Sequence, residues 1–88
     1  MYEIKDYSFK QAKKLGVEIK PSIKKNKKID VFKNNKLITS IGAQGYNDFP
    51  TYLKNDGKKV ADERQRLYKL RHKNDTGVAG FYANKILW

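Results

Sequence analysis

The 88-residue chain predicts an α+β fold: a β-hairpin, which residues 17–20 can extend to a three-stranded antiparallel sheet, packed against one long helix and short terminal helices. Three observations carry this expectation. Two β-prone runs, 29–33 and 36–41, flank Asn34-Asn35, and Asn tolerates the positive φ that a two-residue hairpin turn needs. Residues 58–73 repeat apolar side chains at helical spacing. Six Tyr, four Phe and one Trp supply large apolar rings, about 150–250 Å² each, to a chain that is only 39% hydrophobic. The length leaves room for one core, so a single domain over 1–88 is expected.

Taken in order, Ser8 followed by Gln11 matches a capping box, and Phe9, Ala12 and Leu15 give an apolar side to a helix over about 8–15. Gly16 supplies its left-handed stop. Val17 and Ile19 alternate with Glu18 and Lys20, and Pro21 ends that extended piece. Residues 22–28 form a lysine-rich exposed loop leading into the hairpin. Gly42-Ala43-Gln44-Gly45-Tyr46 is a bend whose glycines relieve backbone that other residues would strain. Asn47 or Asp48 caps a short turn near Pro50, with Tyr52 and Leu53 as its apolar residues. After the loop Asn55-Asp56-Gly57, the long helix places Val60, Arg64, Leu67, Tyr68 and Arg71 on one stripe, beside Ala61 and Leu70, and pairs Asp62 with Arg66. Asn74-Asp75-Thr76-Gly77 ends it, and Val78-Ala79-Gly80 leads into a final turn closing on Ile86-Leu87-Trp88. Those three large apolar side chains are expected to dock on the hairpin or on a partner.

Charge bounds the function. Twenty Lys and Arg against nine Asp and Glu leave a net +11, an excess suited to nucleic acid, a membrane surface or an acidic protein face. Residues 1–28 hold nine Lys against three acids, so +6 of the total sits in the first third of the chain. No cysteine is present, so neither a disulfide nor a thiolate metal site can form. One histidine cannot build a histidine metal site. The opening Met1–Asp6 lacks the apolar run of a secretory signal, and no stretch approaches the roughly 20 apolar residues of a membrane span. A soluble protein kept inside a cell or particle is expected, with no cofactor.

Lys24, Lys25, Lys27 and Lys28 form a cationic arm that can neutralise several phosphates without sequence preference, or else a solubilising loop. On the long helix, Arg64 and Arg71 share a face while Arg66 points elsewhere, and His72 follows. These four could lie along phosphates or an acidic groove. Alternatively, Arg64 and Arg71 snorkel over the core and pair with Asp48 or Glu63. Tyr46, Phe49, Tyr52, Tyr68 and Tyr82 could stack on bases or pack the core. His72 has no nucleophile at a recognisable spacing, and Gly42-x-x-Gly45 does not continue as a phosphate loop. No enzymatic activity is expected.

From about Leu15 to Trp88 the chain resembles a small, functionally uncharacterised family of basic proteins in large DNA viruses and related phage-like genomes. The segments carrying the resemblance are 14–22, 28–32 and 40–50, and most strongly Arg66–His72 and the ending Gly80–Trp88. The resemblance implies a viral protein that accompanies a particle, and supplies no catalytic residue. The resulting expectation is a minor or auxiliary virion component, present in the host cell during assembly. It would dock on capsid or other virion proteins through Tyr46, Phe49, Tyr52 and Trp88, with its basic face toward genome or acidic capsid surface. A free viral DNA- or RNA-binding protein of replication or transcription is the alternative. Neither reading involves a small-molecule substrate.

Overall fold

A computed structural model describes residues 2–75 and 77–88, so Thr76 of the expected helix terminator lies outside them. The fold is α+β, a three-stranded antiparallel sheet with four helices: α1 Asp6–Leu15, β1 Glu18–Pro21, β2 Lys27–Lys33, β3 Lys36–Ala43, α2 Phe49–Asp56, α3 Lys58–Arg71 and α4 Val78–Ile86. The sheet order is β1-β2-β3, so residues 18–21 do complete the hairpin as a third strand.

Asn34 and Asn35 adopt φ of 53° and 65°, the pair of positive values that matches a tight turn to the twist of its strands. Register places Ile19 opposite Val31 and Ile29 opposite Ile41. Alternation then puts all four on one face, where they are buried together with Val17, Ala12, Ile86 and Leu87. The opposite face is covered in part: Glu18 and Lys20 are exposed on it, whereas Lys28, Asp30 and Ser40 are buried. Asp30 is buried there, and its Oδ1 accepts hydroxyls from Ser22 at 2.7 Å and Ser40 at 2.6 Å.

α1 starts two residues before the expected Ser8 cap. Lys5 takes the N-cap position in extended geometry, without a side-chain bond. Ser8 is instead fully buried within the helix and donates to the Ile86 carbonyl at 2.9 Å, while Gln11 donates to the Lys85 carbonyl at 2.9 Å. The pair that looked like a capping box of α1 therefore satisfies the otherwise orphaned last carbonyls of α4. Ser8→Ala should cost about 1–3 kcal/mol by stranding a buried carbonyl, measurable as a fall in the urea midpoint. Gly16 (φ 72°) closes α1 as expected: its N–H bonds the Lys13 carbonyl and that of Val17 bonds Ala12. This turn delivers Val17 and Ala12 into the core together.

α4 begins at Val78, three residues earlier than the expected turn. Asp75 caps the approach by accepting the Gly77 N–H at 3.1 Å. Gly80 has no side chain, so the Asp75 carboxylate can lie against the helix; a Cβ there would fall 2.3 Å from Asp75 Oδ2. A negative charge at a helix start is favourable. α4 packs on β3 and on α1, and buries Ile86 and Leu87.

The sequence predicts that the long helix and the C-terminal turn together cover one face of the sheet. The C-terminal segment does, whereas α3 packs on α2, and of its side chains only Ala61 is buried. Val60, Leu67 and Leu70 remain 37–56% exposed. α1 and α4 take the covering role, because the C-terminal apolar residues fill the core that α3 would otherwise have occupied.

Candidate functional site

Because α3 stands off the sheet, a cleft of about 540 Å³ opens between them. One wall is Lys27, Lys28 and the Ser40–Ala43 end of the hairpin, continuing into Tyr46, Asn47 and Asp48. The opposite wall is the α3 stripe Arg64, Leu67, Tyr68 and Arg71, with His72. Ala79, Gly80, Ala83, Leu87 and Trp88 close the end, and Tyr52 lies between the walls. The i, i+3, i+4, i+7 pattern of α3 is thus the lining of a cleft instead of a core contact.

Aromatic contacts hold α3 in place. The Trp88 ring stacks on Tyr68 at 4.3 Å and 6°, and Tyr68 stacks on His72 at 4.3 Å and 26°. Arg64 sits 5.4 Å above the Tyr52 ring, and the Gln65 amide donates to the Trp88 carbonyl. Trp88 is consequently half-buried in an internal stack, and only part of its surface is left for a partner. Tyr52 is also partly covered, whereas Tyr46 is 75% exposed. Phe49, expected in a protein interface, is buried with its ring 5.0 Å from Tyr7. As the first residue of α2 it is tied down by its N–H bond to the Leu87 carbonyl at 3.0 Å.

The charges of the cleft are unequal. Its lining holds four cations (Lys27, Lys28, Arg64, Arg71) and one anion (Asp48), a side-chain balance of 4 − 1 = +3. Lys28, expected on an exposed arm, is 4% exposed, and its ammonium bonds Asp48 Oδ2 at 2.9 Å and the Tyr46 carbonyl. It is a structural cation, buried because β2 begins at Lys27 and draws it into the sheet. Asp48 is the hub of this contact and also caps α2. Its Oδ1 accepts the Thr51 N–H at 3.0 Å and its Oδ2 accepts the Tyr2 hydroxyl at 2.7 Å. Burial opposes a charge on Asp48, but the hydrogen bonds from Thr51, Tyr2 and Lys28 outweigh it and hold the carboxyl below its ordinary value. Burial, reinforced by Asp48, pushes the Tyr2 hydroxyl up, so it stays a neutral donor.

The remaining expected cations divide. Arg64, Arg71 and Lys27 line the cleft and make no ion pair among the described residues. Asp48 pairs with Lys28 instead of either arginine, and Glu63 pairs with Arg66. That Arg66–Glu63 pair (2.6 Å), on the exposed surface away from the cleft, replaces the expected Asp62–Arg66 pair; Asp62 turns to Lys58 at 2.6 Å. His72 Nδ1 lies 3.8 Å from Asp75. Lys24 and Lys25 are exposed in the turn before β2, where Asn26 has a φ of 71°. They stand apart from the cleft lining, with Lys27 as the link. Leu67 and Asn47 also line the cleft; the helical stripe already contains Leu67, and Asn47 stands beside the Asp48 cap.

Among the described residues, no group of three His, Cys, Asp or Glu side chains could hold a metal ion. None of the described helices is long and apolar enough to cross a membrane. Comparisons with family models, with curated proteins and with solved structures give no match.

Proposed function

We propose that this protein is a non-enzymatic nucleic-acid-binding component of a virus particle, its cleft face turned toward the genome. The observation that carries the reading is the convergence of Lys27, Arg64 and Arg71 on one concave surface, each free of an ion-pair partner among the described residues. Unpaired guanidinium and ammonium groups gathered on one face attract phosphate oxygens. Lys24 and Lys25 extend the same sign of charge along the hairpin end. The viral setting is part of the proposal and is taken from the resemblance of segments 66–72 and 80–88 alone.

Binding should fall by orders of magnitude between about 50 and 200 mM salt if several phosphates are contacted. Reversing Lys24, Lys25 and Lys27 to Glu should cut oligonucleotide affinity and flatten that salt slope, with Lys28 left intact because it is buried. An affinity indifferent to salt and to these three changes would reject the reading. Sedimentation of purified particles on a density gradient tests the setting, since the protein should co-migrate with them.

A second reading, docking on capsid protein, is favoured by Leu70 (56% exposed), Val78 (56%) and Phe81 (46%) on either side of the α3–α4 connection. Attachment through these residues would survive high salt, and Phe81→Ser would release the protein from particles without changing oligonucleotide binding.

A further inference from the structure

We infer that the cleft is a site for unpaired nucleotides, so that the protein selects single-stranded over duplex nucleic acid. The inference rests on the nucleic-acid reading above and names the form of the ligand. Concavity is the first reason. A space of about 540 Å³ falls within the roughly 300–1,000 Å³ range of small-molecule sites; bases can enter it, whereas a duplex can touch only its rim. An element reading a duplex directly must instead project into a groove.

The chemistry of the walls is the second reason. Leu67, 37% exposed, and half-buried Ala83 give the cleft an apolar strip between its cations, laid over the buried Ile41 and Leu87. Duplex phosphates have no use for such a surface, while the faces of unstacked bases do. Tyr46 presents a ring that is 75% exposed at this lining, and it stacks on no other aromatic ring among the described residues. The Tyr68 ring, by contrast, is already sandwiched between Trp88 and His72. Tyr46 is therefore the stacking platform of the site.

The third reason is the disposition of charge. Arg64 and Arg71 lie two helical turns apart on one wall, about 10.5 Å along α3, and Lys27 stands on the wall opposite. A strand threaded between them meets cations on both sides, with its bases directed into the apolar space. Asp48 does not repel it, because Lys28 neutralises that carboxylate at 2.9 Å.

The test compares a 12-mer of thymidylate with a mixed-sequence duplex of equal length at about 150 mM salt. The oligothymidylate should bind at least about tenfold more tightly. Tyr46→Ala should weaken it by about 5- to 150-fold, the equivalent of the 1–3 kcal/mol of one base–aromatic stack, and change duplex affinity less than twofold. That variant should fold normally, since the Tyr46 ring is exposed and its carbonyl, which holds Lys28, is retained. Trp88, the sole tryptophan, lines the cleft and gives an independent readout. Its fluorescence should change on saturation with oligothymidylate and stay constant with duplex. Equal affinities for the two forms, or equal losses in Tyr46→Ala, would overturn the single-strand site while leaving general nucleic-acid binding standing. Absence of binding to both forms at low salt would overturn both.

Discussion

Asp48→Ala is expected to remove about 3–5 kcal/mol of unfolding free energy by stranding the buried Lys28 ammonium, a large share of what a domain of this size has to spare. The variant deprives three partners at once. Lys28 is 5% exposed at its side chain and loses its 2.9 Å counter-ion. Tyr2 loses the acceptor for its hydroxyl, and the first turn of α2 loses the cap on Thr51. The double variant Lys28→Met with Asp48→Ala should recover much of the loss, because an apolar replacement of a buried pair costs far less than an orphaned charge. Urea unfolding followed by circular dichroism separates the cases; a single variant within about 1 kcal/mol of the parent would refute the hub assignment.

The same contact sets an acid limit. The Asp48 carboxyl is held below its ordinary value of 3.8, as is that of Asp30. For Asp30, burial works against the charge, and the hydroxyls of Ser40 and Ser22 prevail. A group with a depressed folded pKa contributes stability that is complete above its unfolded value and is lost as pH falls through the folded one. Stability should accordingly be flat in this respect above about pH 5 and decline below the 3.8 reference. The Asn variants of Asp48 and Asp30 should show a weaker decline over the same interval.

Leu87→Ala is expected to cost about 2–5 kcal/mol, the range for truncating a fully buried leucine. Leu87 is 1% exposed, and its Cδ1 would lie 2.8 Å from a Cβ built on Gly42, so side chain and bare backbone fit each other closely. Its carbonyl also receives the Phe49 N–H, which ties the C-terminal end to the start of α2. Loss of packing there should loosen the cleft as well as the core. The check is a fall in the thermal midpoint together with altered Trp88 fluorescence in the unliganded protein. A midpoint shift under about 2 °C, well below the 4–8 °C per kcal/mol typical of small domains, would refute the packing assignment.

Several elements were legible because their causes are local. Asn34-Asn35 names the hairpin turn, Gly16 the end of α1, and Asn47 or Asp48 before Pro50 the start of α2, where the structure selects Asp48; each acts through backbone angles within a few residues. The apolar ending was legible as a docked segment, since Ile86 and Leu87 must be buried somewhere. Ser8 and Gln11 misled for an instructive reason. Spacing alone cannot separate a side chain that caps its own helix from one reaching carbonyls 78 and 74 residues away. Lys28 misled likewise, because a run of lysines reads as solvated unless its partner at position 48 is known.

The chain alone determined the α+β class, the hairpin pair, the Gly16 stop of α1 and the positive charge, all consequences of backbone conformation, residue spacing and ionisation; the end of α2 lies within the expected loop 55–57. The tertiary structure decided which helix covers the sheet, which lysine is buried and where Arg64, Arg71 and Lys27 meet. Those outcomes depend on competition among distant apolar segments for one small core. Ile86 and Leu87 occupy that core, α3 is displaced from the sheet, and the gap it leaves is the cleft.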